Sequence, residues 1–76
     1  MTENRWLELF ARNLIEIMER SRTTQKDLAE GTGLSQATIS RYLNRERMPT
    51  VAAIINISEY FGETLDDLAY FGERID

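Results

Sequence analysis

The chain is predicted to fold as an all-α, compact five-helix bundle built around a helix-turn-helix, and three observations carry that reading. Apolar residues recur at intervals of three and four in successive segments, and no strand pattern, repeat, linker or low-complexity stretch competes with them. Serine or threonine precedes several of these segments, and glycine or asparagine follows, as helix starts and stops require. Between Gln25 and Asn44, QKDLAEGTGLSQATISRYLN sets two short amphipathic helices around a glycine-containing turn without a spare residue, the spacing of a helix-turn-helix. Such a unit buries the back of its second helix and exposes the front, the geometry that lets side chains enter a DNA major groove.

Helix one is expected from about Asn4 to Ser21, because Trp6, Leu7, Phe10, Leu14, Ile17 and Met18 share a face and neither proline nor glycine interrupts them. Arg22 and Thr23 end it. Thr24 is the N-cap of helix two, and Asp27, three residues on, completes a capping box; Leu28 and Ala29 face inward and Gly31 to Gly33 closes the unit. Ser35 caps helix three, which turns Ile39, Tyr42 and Leu43 inward and leaves Gln36, Ala37, Thr38, Ser40 and Arg41 to face elsewhere. Asn44 is expected in the left-handed cap position that glycine often fills. The polar loop from Arg45 to Met48 ends at Pro49, beside the Thr50 N-cap of helix four, which reaches Phe61 and is stopped by Gly62. Its inward set is Val51, Ile54, Ile55 or Ile57, Ser58 and Phe61. Thr64 and Asp67 form another capping box, opening a short fifth helix with Leu65, Leu68 and Ala69.

At 76 residues the chain reads as one domain, 1–76, with the helix-turn-helix core at 25–44. Folding of so short a chain buries roughly 60 to 65% of the unfolded surface and leaves a thin stability margin. With neither cysteine nor histidine, there is no disulfide staple, no thiolate metal site, no imidazole zinc ligand and no general base of the usual kind near neutral pH. No metal, cofactor or small-molecule ligand is expected. An enzyme is not expected either, since no nucleophile–base pair or phosphate-binding glycine loop is visible and GTG is a turn. The start, MTENRW, lacks a basic region followed by an apolar stretch, and no apolar run is long enough for a membrane span, so a soluble cytoplasmic protein is expected.

The formal net charge of -4 argues against a nucleic-acid partner only as a single number. From Arg20 to Arg47 six basic residues (Arg20, Arg22, Lys26, Arg41, Arg45, Arg47) face three acidic ones (Asp27, Glu30, Glu46). From Glu59 to Asp76 six acidic residues (Glu59, Glu63, Asp66, Asp67, Glu73, Asp76) stand against Arg74 alone. The basic part coincides with the helix-turn-helix, so one face can meet phosphate while the other end keeps away from it.

In these residues the chain resembles the Cro/cI-type (XRE) helix-turn-helix family of phage repressors and small bacterial regulators. Gln25, Leu28, Ala29, Gly33, Leu34, Ser35, Ile39, Ser40, Arg41 and Tyr42 stand at the family's spacing, and RERMPT, an amphipathic helix, Gly62 and TLDDL continue the pattern. The resemblance covers roughly Phe10 to Leu68 and implies a lambda-repressor-like DNA-binding domain. Ala29 is small where helix three is expected to cross, and Gly33 can take a positive φ in the turn at little cost. Thr23, where the family is usually apolar, Glu63, where valine or isoleucine is common, and Asn44, where glycine is common, depart from the pattern. Each lies at an element end, so lower stability is expected rather than another fold.

On that fold the first residues of helix three enter the groove, making Gln36, Ala37, Thr38 and Arg41 the candidates for reading bases. Glutamine can bond adenine N6 and N7, a methyl of Ala37 or Thr38 can pack on thymine C5, and arginine can fork onto guanine O6 and N7, each good bidentate pair worth about 1 to 3 kcal/mol of discrimination. Gln25 opens helix two, where free backbone N–H groups and the dipole suit a phosphate. The resemblance implies that Gln25 touches the DNA backbone and steadies Gln36. Ser35, Asn44, Arg45 and Arg47 are further phosphate candidates, with Lys26 and Arg22 as weaker ones.

A single module contacts too little DNA for selectivity, so a homodimer on a pseudo-palindromic operator is expected, its recognition helices about 34 Å apart. Tyr60, Tyr70, Phe71 and Ile75 are the candidate dimer interface, with packing over Trp6 and Leu7 as the alternative. The leading reading is a sequence-specific, double-stranded-DNA-binding transcriptional regulator acting as a repressor. Two others compete: the antitoxin of a toxin–antitoxin pair, which would hold its toxin through the acidic end, and a protein-interaction module that keeps the scaffold without binding DNA.

Overall fold

Trp6, Leu7, Phe10, Leu14, Ile17 and Met18 recur at helical intervals, and the segment that carries them is the first helix, α1, Glu3–Ser21. The computed structural model describes residues 3–62. It continues with α2, Gln25–Thr32, α3, Gln36–Leu43, and α4, Val51–Phe61, and no strand occurs among the described residues. The fifth helix expected from Thr64 onward lies outside them. One cluster forms the core, in which Leu7, Phe10, Leu14, Ile17 and Met18 of α1 meet Leu28 of α2, Ile39 and Tyr42 of α3, and Ala53 and Ile57 of α4. Trp6 stacks almost parallel on Phe10 at 5.2 Å, and Phe10 meets Tyr42 edge-on at 6.2 Å. This aromatic run ties α1 to α3. Helix α2 packs on both α3 and α4.

The ends of the helices are closed by side chains and by left-handed residues. Thr24 Oγ1 accepts the Asp27 N–H at 3.0 Å while Asp27 Oδ2 accepts the Thr24 N–H at 3.1 Å, the reciprocal capping box expected from the spacing. The Thr24 backbone N–H first, and the Thr24 side-chain hydroxyl second, hold the Asp27 carboxyl below the usual carboxylate range. Gly33 (φ 80) and Gly62 (φ 72) end α2 and α4 in the left-handed conformation. Helix α1 ends without glycine. Arg22 takes φ 55, its N–H donates to Glu19 O at 3.3 Å, and the Thr23 N–H donates to Met18 O at 2.9 Å, a Schellman closure on a residue with a Cβ to accommodate.

Two expectations are corrected here, and one alternative left open is decided. Asn44 is not the left-handed residue after α3, since its φ is -88. That conformation falls one place later on Arg45, φ 61, whose N–H donates to Tyr42 O at 3.1 Å while the Glu46 N–H donates to Arg41 O at 2.8 Å. Asn44 keeps one more helical bond, to Ser40 O at 3.0 Å, which moves the reversal on by one. Val51 does not face inward but is 71% exposed. Periodicity fixes a residue's angular position on a helix and not whether anything lies opposite at that level, and Val51 stands in the first turn. Of the two isoleucines left open, Ile57 is fully buried and Ile55 is exposed.

Gly31 does not close α2 but lies inside it, and the reason is on the facing helix. The Tyr60 ring of α4 occupies the space that a Cβ on Gly31 would take, and it also meets Phe61 edge-on at 4.9 Å. The glycine therefore admits a close approach of α4. Alanine is favoured over glycine within a helix by about 0.8 to 1 kcal/mol, so Gly31→Ala should bring no gain in the wild type but a gain of about that size when Tyr60 is also alanine. Urea midpoints measure this, and an equal gain in both backgrounds contradicts the contact. Acid unfolding tests the cap. A carboxyl that ionises at lower pH in the folded than in the unfolded chain adds stability above the ordinary value of about 3.9, lost as pH falls through the folded value. Asp27→Asn should accordingly be less stable near neutrality and lose less than the wild type between about pH 5 and 2; parallel acid curves contradict the assignment.

Candidate nucleic-acid interface

Helix α3 is a short element with two unlike faces. Ile39 is fully buried and Tyr42 is 3% exposed, with Leu43 packed against the same core. Ala37, Arg41 and Asn44, which follow one another at intervals of four and three, are all exposed, on the side away from Ile39 and Tyr42. Gln36 is exposed at the first position and Thr38 is half-buried. The sequence-predicted base-reading residues are thus brought together at the front of one helix.

The Ser35 hydroxyl caps that helix. Its Oγ accepts the Thr38 N–H at 3.0 Å and donates to Thr38 Oγ1 at 2.8 Å, so the group expected to meet phosphate already serves two partners within the turn. The turn before it is held by Thr32, whose hydroxyl donates to Leu28 O at 2.7 Å and accepts the Leu34 N–H at 3.3 Å. These bonds fix how α3 leaves α2. At the start of α2, Gln25 is half-buried and Lys26 exposed, and the first-turn amides stand ahead of the first helical bond, Leu28 N–H to Thr24 O at 3.0 Å. No hydrogen bond joins the Gln25 and Gln36 side chains, although both residues open their helices.

Beyond α3, Asn44, Arg45 and Arg47 are exposed. Burial pushes the Tyr42 phenol above its ordinary value, and the positive charge of Arg47 opposes that rise. Arg45 has partners on the protein's own surface: its Nε lies 3.4 Å from Glu8 Oε1 on α1 and its Nη1 donates to Leu43 O at 3.0 Å. A phosphate contact by Arg45 has Glu8 as its competitor. Nothing in the sequence signals that pair, because Glu8 and Arg45 are far apart in the chain and each looks like an ordinary surface charge. Of the candidate dimer residues, Tyr60 is 39% exposed with its ring against Gly31, while Tyr70, Phe71 and Ile75 lie outside the described residues. Met48 and Ile55 add exposed apolar surface beside Val51.

No helix among the described residues is long and apolar enough to cross a membrane. No curated protein and no solved structure matches the chain. A family model described as helix-turn-helix does match, over residues 14–68, a span that takes in the second half of α1 from Leu14, the capped α2–turn–α3 unit and α4. With the motif covered from its packing to its exposed face, the chain belongs to the Cro/C1-type (XRE) helix-turn-helix family of DNA-binding regulators.

Proposed function

We propose that the protein is a sequence-specific transcriptional repressor that binds a pseudo-palindromic operator as a homodimer, with α3 in the major groove. The observation that supports it most is the exposed row of Ala37, Arg41 and Asn44 set opposite the buried Ile39 and Tyr42, with Gln36 exposed at the helix start. Gln36, Ala37, Thr38 and Arg41 read base edges in this proposal. Gln25, Lys26, Asn44 and Arg47 hold phosphate, and Arg45 joins them when it leaves Glu8. Repression follows from occupancy: a small domain seated on promoter DNA denies that DNA to polymerase. The soluble, cytoplasmic setting and the second copy belong to the same proposal, the copy because one short helix contacts too few base pairs to select a site among a genome's competitors.

Fluorescence anisotropy with duplex DNA from upstream of the protein's own gene, titrated at several salt concentrations, tests the reading. Binding should be saturable, Gln36→Ala should lose roughly fivefold or more of the preference over bulk DNA, and Arg47→Ala should lower the slope of log K against log salt by about one. Binding no better than to bulk DNA at low salt, for that duplex and for a randomised pool alike, would falsify it and leave the scaffold to a protein partner. Co-purification of an unrelated basic protein would favour the antitoxin reading. The Glu8–Arg45 pair gives a separate outcome. An exposed ion pair is worth about 0.2 to 1 kcal/mol, so Glu8→Gln should tighten DNA binding by up to about fivefold, and Arg45→Ala should abolish that gain; unchanged binding in Glu8→Gln would remove Arg45 from the phosphate set.

A further inference from the structure

Ser35 and Thr38 are joined by more than a helix cap needs. The bond from the Thr38 N–H to Ser35 Oγ, 3.0 Å, is the ordinary N-cap interaction. The second bond, from the Ser35 hydroxyl to Thr38 Oγ1 at 2.8 Å, uses the one hydroxyl proton that Ser35 has. A threonine in a helix divides between two χ1 rotamers because its hydroxyl can turn back to a carbonyl of the preceding turn. Thr32 does so, donating to Leu28 O at 2.7 Å. Thr38 instead receives a bond from the cap, which selects one rotamer and so fixes the direction of the γ-methyl. One lone pair of Oγ1 is thereby occupied, and its proton is left to be donated elsewhere.

A proton donor and a methyl on the same Cβ match one base edge in the major groove. Thymine presents the O4 acceptor next to the C5 methyl, cytosine presents an N4 donor and no methyl, and the purines present no methyl at all. We propose that Thr38 reads a thymine through both groups at once, and that Ser35 is the positioning residue that holds Thr38 in the rotamer this requires, rather than a phosphate ligand. The proposal rests on the DNA-binding reading above and names what one position of the helix selects.

The test uses the full chain and the duplex that the wild type recovers from a randomised pool. Each thymine is replaced in turn by uracil, which removes the methyl, and by 5-methylcytosine paired with guanine, which keeps the methyl and exchanges O4 for an amino group. Affinities are then measured for the wild type, Ser35→Gly, Thr38→Val and Thr38→Ser. Glycine is a tolerable N-cap, costing only a few tenths of a kcal/mol against serine, and circular dichroism checks that the variant is folded. At one thymine the wild type should lose roughly fivefold or more with either replacement. There Thr38→Ser should lose the response to uracil, Thr38→Val the response to 5-methylcytosine, and Ser35→Gly much of both, with other positions and the salt slope unchanged. Two results overturn the proposal: Ser35→Gly weakening every duplex alike with a shallower salt slope, as a phosphate ligand would, or leaving the profile unchanged, as a plain cap would. A wild type that enriches no sequence is a different result, and it removes the DNA-reading function together with this proposal.

Discussion

The burial of Ile39 and Tyr42 is the interaction on which the rest of this structure depends. Helix α3 has eight residues, too few to be stable alone in water, so its existence and its orientation come from what its back packs against. Ile39 is fully enclosed, and Tyr42 meets the edge of Phe10, itself stacked under Trp6. A fully buried side chain of this size contributes about 1.5 to 3 kcal/mol, a large part of the margin available to so short a chain. Turning α3 by one residue would put Arg41 or Gln36 towards that core and expose isoleucine. The polar face is outward because the apolar one has no alternative.

Side-chain caps supply what length does not. Thr24, Ser35 and Thr50 each accept a backbone N–H three residues on, and each such cap is typically worth ~1 kcal/mol. In α2 and α3 the cap also sets position, since the capped turns fix where Gln25 and Gln36 open their helices. Stability and presentation thus share residues. Ser35 shows this most plainly, because its hydroxyl closes the helix and also bonds the half-buried Thr38.

Much of this was legible in the sequence because it is local. Caps at Thr24, Ser35 and Thr50, the ends at Gly33 and Gly62, and the inward set Leu28, Ile39 and Tyr42 follow from spacing, and spacing is what a helix repeats. What could not be read depends on contacts between helices. The interior placement of Gly31 is explained by Tyr60 on α4, and the exposure of Val51 by its place in the first turn, which none of the described residues covers. The left-handed residue after α3 is Arg45 because the last helical bond extends to Asn44, a difference of one position that side-chain preference alone does not resolve. The candidate site divides the same way. Gln36, Ala37 and Arg41 were placed on one exposed face from periodicity, whereas the engagement of Arg45 by Glu8 needed the fold.

The charge arrangement joins these features to the proposed task. Lys26 is exposed at the start of α2, Arg41 in the last turn of α3 and Arg47 in the loop beyond it, and phosphate attraction of this kind brings a protein to DNA without selecting a sequence. In the proposed function, selection belongs to the outward row of α3, held by its buried back. The most direct test of that claim is a map of backbone amide shifts in the full chain as a duplex recovered from a randomised pool is added. The account predicts changes concentrated at residues 25–26, 36–41 and 44–47, with Ile39 and Tyr42 side chains still buried. Changes confined to α1 or α4 while α3 stays as in the free protein would contradict it.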